Sequence, residues 1–487
     1  MANEGNASDI ISRRGIYYPA FGIYNEVAGF YDYGPIGLRI KRNIEALWRS
    51  TFVDQLGALE IETTSILPEI VLKASGHLAS FTDPIVKCKV CGTPYRADKL
   101  LEEFYNSKGD EKSASEVSKL RMEDIERRLK EHNIKCAKCG GELSNVESFN
   151  LLFKAPIGPL GSETGYLRPE TAQGMFLDFK ALFKTYGMKL PSCIAQVGKA
   201  YRNEISPRQQ LIRMREFSQM EIEMFFDPSE ELHGIGTIDI EAALKTRINF
   251  YSAEKKTEEK TLGELLESGK LPNRHFAVLL YLEQSIVRAM GFDNSITRFA
   301  EIPKEEAPHY SKGNVDLEIK TSYGFIEVAG TAYRTDYDLS AHSKESGSEI
   351  SVVSGEKKII PHVVEASMGL DRLLFALLDN SVADDNRGWK WLRLPERIAP
   401  YEYAVFPLQK DEKLMAKARE IVRLLGEKRV SCYYSDSGSI GKRYAKADEI
   451  GVPRCITVDF QSIEDDTFTI RDRDTAKQVR KQLGEII

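Results

Sequence analysis

The chain has 487 residues, a formal net charge of −6, 42% hydrophobic and 29% charged side chains, which describes a globular protein of roughly two to four domains. The acidic balance excludes a polybasic nucleic-acid coat while leaving room for one locally basic groove. No apolar run approaches the roughly 18 residues of a spanning helix, and seven cysteines are too few for a disulfide scaffold, so neither a membrane protein nor a disulfide-stapled one is expected.

Met1–Asp9 is short and polar, with neither a secretory nor a transit pattern, and predicts a cytoplasmic chain. From about residue 15 to 85, aromatic, Gly and Pro-rich stretches surround one helix, in which Leu38, Ile40, Ile44, Leu47 and Trp48 recur at helical spacing. Leu59–Pro68 reads as a β-rich segment stopped by proline. The composition then changes. Two CxxC pairs, Cys88/Cys91 and Cys136/Cys139, bracket a charged helical stretch with Val117, Leu120, Ile125 and Leu129 as its apolar stripe. Residues 87–147 are therefore expected to form an insertion with its own small core. Each CxxCG turn presents two thiolates, and two such turns make a closed tetrahedral four-thiolate site for structural Zn²⁺. Four reduced thiols in a degenerate site is the competing reading. Cys193, Cys432 and Cys455 are lone and read as small buried apolar residues.

Residues 148–226 return to β-rich sequence. Arg168-Pro-Glu170-Thr-Ala-Gln-Gly174 is a polar loop entering a helix. Two strands then flank the loop Ile205–Leu211. Alternation puts Arg202 and Glu204 on one face of the first strand. It puts Arg213, Arg215, Phe217, Gln219, Glu221 and Glu223 on one face of the second, with Ile212, Met214, Met220, Ile222 and Met224 opposite for a core. Arginines bind phosphate bidentately and an aromatic ring can stack on a base, so this face suits a nucleotide. A salt-bridged sheet face would read the same way. Residues 227–310 read as a second insertion, polar and helical, with Glu254–Lys260 as a solvated run. In 311–395, the strand Phe325–Gly330 points Glu327 away from Ile326 and Val328, and Val363, Glu365 and Ser367 share another strand face. The helix carrying Leu370, Leu373, Leu374, Leu377 and Leu378 holds Arg372 in its first turn, where the helix N-terminus already favours anions. In 396–487, strands at Ala404–Phe406, Val430–Tyr434 and Cys455–Asp459 alternate with helices at Lys413–Leu425 and Gly441–Ile450, predicting a compact α/β domain.

In order, these segments resemble the three motifs of class II aminoacyl-tRNA synthetases. Gly57–Pro68 resembles motif one. Tyr201-Arg202-Asn203-Glu204 with its loop and Arg213–Phe217 resembles motif two, and Gly369-Leu-Asp-Arg372 resembles motif three. More narrowly, Arg168–Gly174, Arg202–Pro207, Arg215-Glu-Phe217, Glu365-Ala-Ser367 and Ala447–Pro453 resemble glycyl-tRNA synthetases of the homodimeric, archaeal and eukaryotic type. The resemblance implies an α+β fold, an antiparallel sheet flanked by helices. Its core pieces would be 1–86, 148–226 and 311–395, interrupted by the insertions at 87–147 and 227–310 and followed by a mixed α/β anticodon-binding domain at 396–487. It implies activation of glycine by ATP, transfer to tRNA(Gly), Mg²⁺ with the ATP, Zn²⁺ on the four cysteines, and a homodimer built through motif one.

By the same resemblance, Arg202 and Arg372 are the catalytic residues that hold phosphate charge. Asn203, Glu204, Ile212, Arg213, Phe217, Glu327, Val328 and Gly369 complete the ATP site. In it Phe217 stacks on adenine, Glu204 fixes the adenine edge and Glu327 helps hold Mg²⁺–ATP. Glu170, Glu221, Glu365 and Ser367, joined by Arg96, form the glycine pocket. Near Ser439–Tyr444, Lys442, Arg443 and Tyr444 are candidates for anticodon contact, and an ordinary solvated helix start fits them equally. A synthetase for another small amino acid is disfavoured by the pocket carboxylates. A non-catalytic paralogue that binds tRNA would have lost motif arginines or those carboxylates, and this chain keeps them.

Overall fold

Nine strands make the central sheet of the computed structural model, which describes residues 6–207, 209–303, 311–385 and 387–485. The first five residues, Arg208 of the motif-two loop and the boundary stretch 304–310 lie outside the described residues. In chain order the strands are Leu59–Glu60 (β1), Ser192–Tyr201 (β2), Glu216–Phe226 (β3), Arg247–Tyr251 (β4), Thr257–Thr261 (β5), Thr297–Glu301 (β6), Asn314–Thr321 (β7), Gly324–Thr335 (β8) and His362–Gly369 (β9). They lie in the order β5-β4-β6-β7-β8-β9-β3-β2-β1. The run from β6 to β2 is antiparallel throughout, and parallel pairing is confined to β4 with β6 and β2 with β1.

Helices cover the sheet because each offers an apolar stripe. Pro35–Trp48 (α1) turns Ile40, Ile44, Leu47 and Trp48 into the main core, while Leu38 stays 38% exposed. Ala172–Thr185 (α2) packs with Tyr337–Ser346 (α4) in a second cluster around Phe176, Phe179 and Leu339. Between them in sequence, Arg274–Ala289 (α3) is buried nearly all round, starting from an Asn273 side chain that caps the Phe276 amide. Leu370–Asn380 (α5) buries Leu370, Leu373, Leu374, Leu377 and Leu378 as its spacing predicts.

The stretch 227–310 departs from its helical reading. It supplies β4, β5 and β6 to the central sheet, and α3 to the main core through Phe276, Leu279, Leu280 and Ile286. The polarity that suggested a separate insertion belongs to β5, an edge strand whose Glu258 and Glu259 are exposed. Charged edge strands resist pairing with other chains, so this polarity is compatible with membership of the sheet.

Residues 87–147 surround an apolar cluster of their own. Val117, Ile125 and Leu129 are buried there with Leu101, Tyr105 and Cys136, and Leu120 is half-buried at its margin. The C-terminal region builds a five-stranded sheet from Tyr403–Pro407 (β10), Cys432–Tyr434 (β11), Arg454–Val458 (β12), Thr467–Asp472 (β13) and Gln478–Gln482 (β14), in the order β11-β10-β12-β13-β14. Glu412–Glu427 (α6) packs Leu414, Ala418, Ile421 and Leu425 against it, and Ile440–Glu449 (α7) follows. Asp448 of α7 is fully buried. It accepts two bonds from Arg471 at 2.7 and 2.9 Å and one each from Arg387 and Trp389 at 3.2 Å. No described helix is long and apolar enough to cross a membrane.

Candidate active site

A cleft opens over β3, β9 and β8. Strand alternation sets its floor. Phe217, Gln219 and Glu221 of β3 line the cleft, while Met220, Ile222 and Met224 are buried on the opposite face. Of the ATP and glycine residues read from the sequence, all line the cleft except Asn203 and Arg96. Four residues expected on strands, Arg202, Glu204, Arg213 and Arg215, lie beyond the strand ends. The first strand ends at Tyr201, and beyond it the Glu204 amide closes onto the Arg202 carbonyl at 2.7 Å. Arg213 and Arg215 precede β3, after a 3-10 turn at Gln210–Ile212. Met214 is buried as expected, but Ile212 turns its carbonyl to the cleft, where it accepts from Arg372 Nε at 2.9 Å.

One end of the cleft is basic and aromatic. The Arg202 guanidinium lies 5.3 Å from the Phe217 ring centre and 5.4 Å from that of Phe81, and its Nε donates to the Pro169 carbonyl at 3.2 Å. Arg213 pairs with Glu204 at 2.6 Å. Arg372 donates to the Glu327 carbonyl at 3.0 Å and pairs with its carboxylate at 3.1 Å. Arg96 does not join the glycine carboxylates. It is held by Asp83 at 3.0 Å and Asp98 at 2.5 Å, and Asp83 in turn lies 3.9 Å from Arg213, so Arg96 stands behind the basic end rather than among the acidic groups.

The other end is acidic, and Glu170, Glu221, Glu365 and Ser367 meet there. Glu221 accepts from the Thr171 amide at 2.9 Å and from the Thr171 hydroxyl. Gln219 donates to Ser367 Oγ at 3.0 Å. The residue that organises this end, Arg334, is one that no sequence pattern singles out. It is 1% exposed, donates to Asp338 at 2.7 and 3.0 Å and to Glu365 at 2.6 Å, and lies 3.6 Å from Glu170. Irregularities in β8 explain the omission. The register slips opposite Leu317/Glu318, making Val328 an extra residue, and slips again between Tyr333 and Thr335. A bulge re-aims the strand. Glu327 and the even-numbered Gly330 and Ala332 therefore all line the cleft, and Arg334 follows them. Unbroken alternation from Glu327 would have sent Arg334 to the opposite face.

Burial governs the charges here. Burial pushes the Glu365 carboxyl up to about 8, even though Arg334 pulls the other way. Burial and the neighbouring Glu170 also raise Glu221. For Glu170 burial is outweighed by His77, 3.5 Å away, and by Arg334, which together hold its carboxyl well below the usual range. The site is thus a crowd of carboxyls around one guanidinium, short of positive charge.

Behind the floor, Lys41 of α1 donates to Asp371 at 2.6 Å and to Ser218 Oγ at 2.9 Å, and Asp371 also accepts from the Ser218 amide at 2.5 Å and from the Tyr33 hydroxyl. This buried knot ties α1, β3 and the start of α5, and no sequence pattern points to Lys41. The four cysteines meet as their spacing predicts. Cys88 and Cys139 sulfurs are 3.5 Å apart, those of Cys91 and Cys136 are 3.6 Å apart, and all four lie within 4.8 Å of one another. Gly92 and Gly140 close the two turns at φ +68° and +71°, a conformation that favours glycine.

Comparison with known proteins agrees with this geometry. A family profile described as "Anticodon binding domain" matches residues 402–487. Curated glycine–tRNA ligases are similar over nearly the whole chain. That of Pyrococcus horikoshii is 38% identical, covering 98% of this chain and 96% of its own. That of Methanocaldococcus jannaschii is 37% identical over 98% and 97%, and that of Methanothermobacter thermautotrophicus 35% over 100% and 98%. Among solved structures, a prolyl-tRNA synthetase of Giardia lamblia in complex with prolyl-adenylate superposes with a TM-score of 0.60, at 14% identity, over 99% of this chain and 74% of that one, a likeness of fold.

Proposed function

The chain belongs to the glycine–tRNA ligase family, and from that membership we propose that the basic end of the cleft holds ATP and the acidic end holds glycine. The overall reaction joins glycine to tRNA with ATP as the energy source. In the first step a glycine carboxylate oxygen attacks the α-phosphorus of ATP, and the bond to pyrophosphate breaks. A terminal ribose hydroxyl of the tRNA then attacks the carbonyl carbon of glycyl-adenylate, and AMP leaves. Neither step requires a nucleophile from the protein, so catalysis rests on alignment and charge.

In this reading Arg202 and Arg372 meet the phosphates, Phe217 stacks on adenine, Glu204 holds its edge, and Arg213 reaches the tail phosphates. Asn203 and Gly369 support the loop and helix that carry those arginines. Glu170, Glu221 and Glu365 bind the ammonium of glycine, with Ser367 alongside. Glycine has no side chain to grip, so selection works by exclusion: added bulk meets a wall that Arg334 and Thr171 hold rigid. The observation that carries the reading is the junction of these two ends along one pair of strands, β3 and β9. Exchange of labelled pyrophosphate into ATP, run with each of the twenty amino acids separately, tests it. Glycine alone should support exchange, and equal exchange with alanine or serine would remove the pocket assignment.

Glu327 and Asp316, both on the cleft wall, offer the oxygen donors that Mg²⁺ prefers. Bound there, Mg²⁺ would neutralise phosphate charge. Cys88, Cys91, Cys136 and Cys139 would hold a structural Zn²⁺, since tetrahedral thiolates around zinc stand about 3.8 Å apart, close to the separations of 3.5 and 3.6 Å in this site. Metal analysis should return one zinc per chain. The reading also includes a homodimer: Ile66 of the motif-one segment and Ile70 just beyond it are about half exposed and offer an apolar strip to a second copy. Sedimentation at micromolar concentration should show the dimer. A cytoplasmic location, where tRNA is charged, belongs to the same reading.

A further inference from the structure

Glu223 has no part in the reaction as described, yet it lies in the acidic end. It follows Glu221 by two residues on the same face of β3 and stands directly opposite Glu365 in β9. It is 0% exposed, and neither of its carboxylate oxygens has a hydrogen-bond partner among the described residues. One carboxylate oxygen from each of Glu221, Glu223 and Glu365 lies within 4.8 Å of the others. The charged groups around it are Glu221 on β3, Glu365 on β9, Arg334 on β8 and Asp338 on α4. Arg334, the one cation of that group, is already bonded to Asp338 and Glu365.

An ionised Glu223 would therefore be a buried charge without a counter-charge, which proteins avoid by neutralising the group. Two things could lie between carboxyl oxygens that have no donor between them: a proton or a metal cation. The donor set disfavours the cation. A Glu365 oxygen already accepts from Arg334, a Glu221 oxygen already accepts two bonds from Thr171, and the guanidinium beside them repels a second positive ion. Too few free oxygens remain for the roughly six or more ligands of a hard divalent ion.

We propose that Glu223 is a positioning residue of the glycine pocket, a carboxyl that keeps its proton and donates it to the Glu365 carboxylate, so that Glu365 stays aimed at the substrate ammonium. The proposal rests on the glycine-pocket reading above. Burial, with Glu365 adding to it, also drives the Glu223 carboxyl well above the ordinary carboxylate range. The proton removes one negative charge from a crowd that a single arginine cannot balance, and leaves Glu365 as the carboxyl that gives up its proton when the glycine ammonium arrives.

The test is glycine-dependent pyrophosphate exchange with Glu223→Gln, Glu223→Ala and Glu221→Gln. An amide donates a hydrogen bond and never ionises. Glu223→Gln should therefore keep kcat/KM for glycine within about threefold, whereas Glu223→Ala should raise the glycine KM by about tenfold or more with the ATP KM unchanged. The wild-type minus Glu223→Gln infrared difference spectrum at neutral pH should show one protonated-carboxyl stretch, with those of Glu283 and Glu365 cancelling, a readout that holds even if the alanine variant does not fold. Loss of activity in folded Glu223→Gln, an unaffected Glu223→Ala, or no infrared band would each overturn the proposal. So would calorimetric glycine binding that disappears in EDTA, which would assign the place to a metal. If Glu221→Gln retained exchange, the pocket reading would fail. If Glu221→Gln were inactive and Glu223→Ala normal, only the role of Glu223 would fail.

Discussion

Glu221 shows how a site residue can work against stability. It is buried among like charges, and its two bonds from Thr171 orient it towards the pocket rather than relieve the crowding. Glu221→Gln keeps an acceptor for Thr171 and removes one charge. The variant should unfold no sooner than the parent on heating, yet lose kcat/KM for glycine by roughly 10- to 100-fold, the value of about 1.5–3 kcal/mol for one hydrogen bond to a charged group. Paired melting and exchange measurements check both halves. Glu365 gives a pH prediction. Its carboxyl is pushed up to about 8 by burial, against the pull of Arg334. An ammonium binds the carboxylate form, so glycine should bind more tightly as pH rises from about 6 towards 8, and binding should release a proton. The glycine KM across that range, at saturating ATP, measures the slope. A flat profile would mean that Glu365 is ionised throughout.

Between elements, the contact of α3 with β8 carries a second buried carboxyl. Glu283 accepts from Thr331 Oγ1 at 2.7 Å, and burial pushes it up to about 8. Its folded value lies above its ordinary one. The stability it contributes is therefore full at acid pH and lost as pH rises towards about 8. Glu283→Gln should leave the melting temperature unchanged near about pH 4.5 and raise it at about pH 8, with a gain on the order of 3 kcal/mol there. Melting curves at the two pH values decide it. Elements also show where the sequence can be read and where it cannot. β3 and β9 keep strict alternation, so the order of residues alone assigns Phe217 and Glu221 to one face of β3, and Glu365 and Ser367 to one face of β9. β8 breaks alternation twice, which hides Arg334. The stretch 227–310 misleads because average polarity does not distinguish a charged edge strand from an independent insertion. Lys41 is invisible for another reason: it sits on the apolar side of a helix, and its hydrogen-bond partners Ser218 and Asp371 are distant in sequence.

Across the molecule, the C-terminal domain meets the rest through polar and ionic contacts beside an apolar one, in which Ile36 packs against the core clusters of both. Arg13 and Arg14 of the first described helix reach Glu449, Asn43 of α1 donates to the Ala399 carbonyl at 2.8 Å, and Arg387 of the preceding segment reaches Asp448. Removing Asp448 would leave Arg471 buried without its carboxylate, a loss of about 3–5 kcal/mol. Asp448→Ala should therefore loosen the anticodon-binding domain and sharply reduce tRNA charging, while glycine-dependent pyrophosphate exchange, a reaction of the central sheet, stays near the parent level. Both rates from one preparation settle the point, since a parallel fall would mean that the two regions behave as one cooperative unit.

The extra residue at Val328 has a genetic corollary. Glu327 and Ala329 already stand opposite Glu318 and Leu317, neighbours in β7, so Val328 is one residue more than the pairing needs. Losing one residue there would make the pairing with β7 regular at that point and leave Arg334 on the cleft side, because the later residues of β8 keep their present partners. The phase between the two ends of the cleft is thus set by the partners of β8 and not by the number of residues in the bulge. A frame-preserving loss of the Val328 codon should therefore spare the acidic end of the cleft and alter only the wall that Val328 lines.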